Sequence, residues 1–198
     1  EKNMEGYTGS VRAVMREAKR GSLRGIHGAL SQLISVPEQY AVAIETAFGA
    51  ALQNIVTDSE GDAKRAIQFL KETKGGRATF LPLSAVRGRM LEERGLAQCD
   101  GFVAVASDLV KCDATYEAVV KAQVGRTAVA EDMDCAIAIA RKFSYRFRIV
   151  TLDGQIINAG GSMTGGSRMQ NAGFLSRSNE IEKLRTEMQA AQAKLSEG

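Results

Sequence analysis

The stretch Leu152–Ser167, LDGQIINAGGSMTGGS, decides how this chain is read. The β-branched run Ile149-Val150-Thr151 leads into Asp153-Gly154, a strong hairpin signal, and a second short strand, Gln155 to Ala159, follows. That strand empties into Gly160-Gly161-Ser162-Met163-Thr164-Gly165-Gly166. Glycine costs backbone entropy and contributes no side-chain packing, so two pairs this close need a reason. Either the backbone takes positive φ there, or another molecule or chain segment comes close to it.

Beyond the glycines, Asn179 with Glu182 forms a capping signature. Ile181, Leu184, Met188, Ala191 and Leu195 then follow at spacings of 3, 4, 3 and 4, the seam of a coiled-coil helix. The opposite end mirrors it. Met4, Tyr7, Val11, Val14 and Ala18 show the same spacing, with Gly6 and Gly9 placing the firm helix start near Ser10. Judged alone, this first segment reads equally as a core-packed amphipathic helix or as a coiled-coil end.

An α/β pattern lies between the seams. Gly25 to Val36 reads as a strand holding His27, and Pro37 opens a helix at its first position. That helix carries Tyr40, Ile44, Ala47 and Phe48 and ends at Gly49. Leu52 to Thr57 reads as a strand. Ser59 and Asp62 cap a helix whose buried side is Ala63, Ala66, Ile67 and Leu70 and whose stop is Gly75-Gly76. RATFLPLS, Arg77 to Ser84, is a strand that Pro82 confines to a sheet edge. Residues 84–101 lack a period and read as the connection between two halves. The second half runs from a strand at Phe102 to Ala106, through a helix capped by Asp113 and closed by Gly125, to a strand at Thr127 to Ala130. A helix through Met133, Ile137, Ala140 and Phe143 completes it.

The chain has 198 residues, 44% of them hydrophobic, enough for a real core in one domain or two small subdomains. Its three cysteines, Cys99, Cys112 and Cys135, show no CxxC spacing, which suits structural thiols in a reducing cytosol. No apolar run reaches the ~18 residues of a membrane span, and no signal peptide is present. Because it begins at Glu1 and stops inside a heptad, the chain reads as an excised piece of a longer protein.

The net charge of +3 is mild, but its distribution is one-sided. Arg12, Arg16, Lys19, Arg20 and Arg24 face a single acid, Glu17, and Lys64, Arg65, Lys71 and Lys74, followed by Arg77, line the exposed side of the Ser59-capped helix. Such clusters are either solvated helix faces or anion-binding surfaces.

Catalytic chemistry has little to stand on. A P-loop, GxxxxGK[ST], needs a lysine to reach the phosphates. Counted from Gly160, Gly166 and Ser167 occupy the lysine and hydroxyl positions, and no lysine lies between Lys142 and Lys183. A lone histidine, His27, reads as structural, and no clustered Cys and His ligands offer a zinc site. A phosphate- or nucleotide-binding α/β enzyme domain, using the glycine loop as an anion nest, is the alternative reading.

Taken together, RATFLPLS, LDGQIINAGGSMTGGS and the flanking seams resemble the hinge domain of SMC (structural maintenance of chromosomes) proteins, most closely the bacterial form, from about Tyr7 to the end of the chain. The resemblance implies an α/β (α+β) fold of two similar mixed α/β subdomains, flanked by stubs of an antiparallel coiled coil. It divides the chain into an incoming stub and helix (1–22), subdomain I (23–90), connection and subdomain II (91–175) and an outgoing stub (176–198). It implies a homodimer with Gly160, Gly161, Gly165 and Gly166 at the interface, where the absence of Cβ atoms lets two backbones approach. It also implies weak, sequence-independent DNA binding near the coiled-coil junction. Lys71 and Lys74 are the nearest matches to the family's lysines, and the basic clusters add Arg77, Lys19, Arg20 and Arg24. The ATPase heads would lie outside this segment, so no enzyme activity, cofactor or metal is expected within it. The parent protein would be cytoplasmic and nucleoid-associated, working in chromosome condensation and segregation with accessory non-SMC subunits and without a membrane partner.

Overall fold

A computed structural model of the chain describes residues 6–167 and 173–196. The first half consists of α1 (Gly9–Arg20), β1 (Ile26–Ala29), the single turn α2 (Leu30–Leu33), β2 (Ile34–Ser35), α3 (Ala41–Phe48), β3 (Ile55–Thr57), α4 (Glu60–Glu72) and β4 (Phe80–Pro82). The second consists of β5 (Phe102–Val105), β6 (Lys111–Cys112), α5 (Glu117–Val124), β7 (Thr127–Ala130), α6 (Met133–Lys142) and β8 (Arg148–Thr151), extended by β9 (Ile156–Ile157), β10 (Met163–Thr164) and the long α7 (Phe174–Ser196).

The halves repeat one topology. In the first, β1 pairs antiparallel and β4 parallel with the central β3; in the second, β5 and β8 flank β7 in the same senses. The connecting helices begin alike. Ser59 and Asp62 form a reciprocal capping box on α4, and Asp132 accepts the N–H of Cys135 on α6. They also end alike, with a backbone bond five residues back: Gly75 to Leu70 and Tyr145 to Ala140, both 2.8 Å.

Two features join the halves. β2 pairs antiparallel with β6, setting Ile34 opposite Cys112 and Ser35 opposite Lys111. One apolar cluster then takes Leu30, Ile44, Phe48 and Val56 from the first half and Val119, Val129 and Val150 from the second. Removing these faces from water together is what holds the halves as one body. Arg148 adds a polar tie, donating from Nη2 to the Ala47 carbonyl at 2.5 Å, where the C-terminal end of α3 favours a cation. Burial pulls its pKa down from the usual guanidinium value.

Several sequence expectations are corrected. The strand expected over Gly25 to Val36 is broken in two by the α2 turn, whose Gln32 Oε1 accepts the N–H of Ala29. Pro37 lies one position before a 3-10 turn at Glu38–Tyr40, so α3 starts only at Ala41. The strand expected from Leu52 begins at Ile55, because a 3-10 turn, Gly49–Gln53, takes up Leu52. Ile67, expected inside, is 53% exposed, since α4 leans on Ala63, Ala66 and Leu70. α7 starts at Phe174, five residues before the expected cap at Asn179; Glu45 Oε1 in α3 accepts the Leu175 N–H at 2.8 Å and serves its first turn from across the fold.

The incoming seam also resolves. Tyr7, Val11 and Val14 are buried with Ala29, Ile55, Ala66 and Leu70, so this stretch of α1 is a core helix of the first half; Met4 lies outside the described residues. Tyr7 meets Phe174 at the start of α7, with ring centroids 4.8 Å apart, which brings the incoming and outgoing segments side by side. No helix among the described residues is long and apolar enough to cross a membrane.

The α4 cap gives a direct stability test. Ser59→Ala should cost about 1 kcal/mol, read from the urea midpoint. The hydroxyl of Ser59, then the Arg65 guanidinium, hold the Asp62 carboxyl below its usual range. A depressed folded-state pKa stabilises above the unfolded value of about 4, and the gain is lost as pH falls through the folded one. The midpoint difference between the parent and Asp62→Asn should therefore shrink from neutral pH toward strongly acid pH.

Candidate self-association edge and basic surface

The second sheet runs β10-β9-β8-β7-β5, so β10 is an edge strand, with β5 at the other end; the first runs β1-β3-β4, with β1 at one edge and β4 at the other, as Pro82 requires. Each half thus presents an unpaired strand from one of the two motifs quoted above. In the β9–β10 hairpin Met163 faces Ile157 and Thr164 faces Ile156. Asn158 donates its N–H to the Ser162 carbonyl at 2.7 Å. Antiparallel ladders alternate, so Ser162 and Thr164 bond inward to β9 and Met163 turns its N–H and carbonyl outward. Met163 is 55% exposed. This is an edge ready to accept another strand.

Each glycine has a reason inside the chain. Gly160, Gly161 and Gly166 take φ values of 90°, 105° and 136°, a region closed to most side chains. Gly165 does not, but a Cβ there would collide with Gln155 Oε1. Gln155 uses its amide as a strand would, accepting the Gly166 N–H at 2.8 Å and donating to the Gly166 carbonyl at 3.1 Å. The N–H groups of Gly160 and Gly161 are taken by the carbonyls of Tyr145 and Asn158. Three of the four glycine donors are thus engaged internally, which leaves a phosphate little to bind. Sequence reasoning missed Gln155 and Tyr145, because no local pattern marks either.

The basic residues fall into two groups. α1 and α4 pack together in opposite directions: Ser10 Oγ, at the start of α1, donates to the Arg77 carbonyl at 2.6 Å, while Gly25, beyond its end, lies against Asp62 at the start of α4. Lys71, Lys74 and Arg77 are exposed at the end shared with Tyr7 and Phe174. Lys19, Arg20 and Arg24 lie at the other end, about 18 Å away by the rise of a twelve-residue helix. Arg20 is paired with Glu17 at 3.0 Å, whereas Lys71, Lys74 and Arg77 show no ion pair among the described residues.

His27 has partners that no spacing foretold. Its Nδ1 lies 2.8 Å from Tyr116 Oη and its Nε2 2.5 Å from Asp58 Oδ1, joining the two halves. The connectivity is that of a base aimed at a nucleophile, but the field is wrong for one. Burial and then the Asp113 and Asp58 carboxylates push the Tyr116 phenol up, which keeps it protonated. Two of the thiols are no readier: burial raises Cys112, and the bond with Asp132 raises Cys135. No group of three or more His, Cys, Asp or Glu among the described residues could hold a metal ion.

With this geometry in place, residues 23–140 match the family described as the SMC proteins Flexible Hinge Domain. The chain belongs to the SMC hinge family. The chromosome partition protein Smc of Halothermothrix orenii is 41% identical over an alignment of 200 residues, covering 100% of this chain and 17% of that protein. Its Bacillus subtilis counterpart is 42% identical over 186 residues, covering 92% and 16%. This SMC hinge therefore spans about one sixth of those relatives. Among solved structures, the Geobacillus stearothermophilus SMC hinge domain, an asymmetric dimer, superposes with a TM-score of 0.90 at 42% identity over 98% of this chain and 78% of that one. The Pyrococcus furiosus SMC hinge domain gives 0.69 at 31% identity, over 86% and 87%. The mixed α/β fold of this chain is the fold class expected of such a hinge.

Proposed function

We propose that this chain is the homodimerising hinge of a chromosome-partition SMC ATPase, joining two coiled-coil arms and contacting DNA without sequence preference. The observation that carries the reading is the pair of open edges, β4 from one half and β10 from the other. A two-fold axis matches β10 of each copy with β4 of its partner, giving two equivalent strand pairings, and isologous pairing of this kind closes at two copies. Gly160, Gly161, Gly165 and Gly166 flank β10 and keep the approach clear of Cβ atoms.

The arm reading rests on α7. Ile181, Leu184, Met188 and Leu195 are 48%, 58%, 63% and 82% exposed at heptad spacing, a seam in need of a second helix. The segment preceding α1 is the natural partner, because Tyr7 already meets Phe174. DNA contact is assigned to Lys71, Lys74 and Arg77 at this junction, with Lys19, Arg20 and Arg24 as a second patch. The role calls for no cofactor here. The heads, accessory subunits and nucleoid location belong to the parent protein.

Sedimentation velocity tests the association directly. The chain should run as a dimer of about twice its 21.2 kDa mass at micromolar concentration; a monomer there would sink the reading.

A further inference from the structure

The turn after α6 holds two consecutive non-glycine residues in the left-handed region, Ser144 at φ 55° and Tyr145 at φ 56°. A bulky aromatic residue there is a backbone outlier, and such strain persists where surrounding structure enforces it. The internal repeat supplies a reference. The turn after α4 closes with the same bond five residues back, and where the second half has Tyr145 at positive φ the first has Gly75, which is not at positive φ. The turn itself therefore does not require an aromatic residue.

The glycine turn supplies the reason. The Tyr145 carbonyl accepts the Gly160 N–H at 2.8 Å, and a Cβ built on Gly161 would lie 3.6 Å from the Tyr145 ring. The ring also packs on the second half's apolar cluster, so it is itself held in place. Gly160 and Gly161 form the bend that delivers Met163 and Thr164 to the sheet edge. We infer that Tyr145 is the positioning residue of the β9–β10 hairpin, a fixed platform under Gly160-Gly161 that sets the pose of the edge strand. The inference rests on the dimerisation reading for its consequence, because a loosened hairpin must be ordered again before another strand can pair with it.

Three variants test it. Tyr145→Phe keeps the ring and should leave the dimer dissociation constant within about twofold. Tyr145→Gly relieves the positive φ but removes the ring, and should raise that constant about tenfold, close to 1.4 kcal/mol. Tyr145→Asn, which also tolerates the left-handed region, should match it and serves if the glycine variant folds poorly. Amide exchange at Asn158, Gly160 and Gly161, whose N–H groups are taken by the carbonyls of Ser162, Tyr145 and Asn158, should quicken in the glycine and asparagine variants while β7 stays protected. A purely structural role would instead expose β7 as well. An unchanged constant in both small variants, Tyr145→Phe as weak as Tyr145→Gly, or loss of β7 protection would each overturn the platform. A monomeric parent would remove the association reading alone, and the exchange contrast between phenylalanine and glycine variants would still decide the platform.

Discussion

Met163→Pro should run as a monomer at concentrations where the parent is a dimer, with its own fold intact. Met163 bonds nothing on β9 through its N–H, because the alternation set by Asn158 and Ser162 turns that donor outward. Proline deletes the donor and places a ring where an incoming strand would lie. Two-fold symmetry doubles the effect. At up to about 1.5 kcal/mol per lost bond, two sites give about 3 kcal/mol, roughly a hundredfold in the dissociation constant. The intrachain ladder from β9 to β5 makes no use of that donor, so the far-ultraviolet circular dichroism should be unchanged. Met163→Val keeps donor and strand preference and should remain dimeric. Parent-like mass for the proline variant would show that the edge of β10 is not where the copies meet.

The parts of the fold that were legible in the sequence are those whose signals are local. The strand Thr127–Ala130 and the cap at Ser59 lie where hydrophobic runs and short-range side-chain bonds place them, and Asp113 caps the 3-10 turn Ala114–Tyr116 that leads into α5 rather than α5 itself. Pro82 on an edge strand follows from its missing donor. The contacts hardest to foresee join residues far apart in the chain. Glu45 serves Leu175 across 130 positions, and His27 reaches Tyr116 across 89. No window of sequence contains either pair. Ile67 has the periodicity of a buried residue, but α4 buries a stripe too narrow to include it. The two seams illustrate the same limit. Identical 3, 4, 3, 4 spacing describes α1, which packs into the first half, and α7, whose seam is open.

The glycine motif shows how local spacing can single out a place without giving its cause. Of its two explanations, positive φ applies at Gly160, Gly161 and Gly166, and close approach within the chain applies at Gly165 through Gln155. Under the proposed function, approach of a second copy would follow from the bend those glycines permit. Tyr145, before the motif, and Gln155, in the strand that leads into its glycines, left no trace in the glycine spacing.

Lys71→Glu with Lys74→Glu should weaken DNA binding at low salt by at least tenfold and reduce its salt dependence. Both side chains are exposed at the end of α4, beside Arg77 and the junction of α1 with α7, and neither has an ion pair among the described residues. Their charge is therefore available to phosphates. Each phosphate contact contributes about 0.9 to the slope of log K against log salt for duplex DNA, so losing two should lower the slope by about 1.8. Reversal adds repulsion at low salt, which makes the affinity loss exceed that of neutral replacement. The parallel reversal of Lys19 and Arg20 should cost less, because Glu17 already holds Arg20 at 3.0 Å and the patch sits at the far end of the helix pair. A fluorescence-anisotropy titration across salt concentrations separates the two patches. An unchanged slope for the Lys71 and Lys74 pair, with a reduced one for Lys19 and Arg20, would move the DNA contact to the other end of α1.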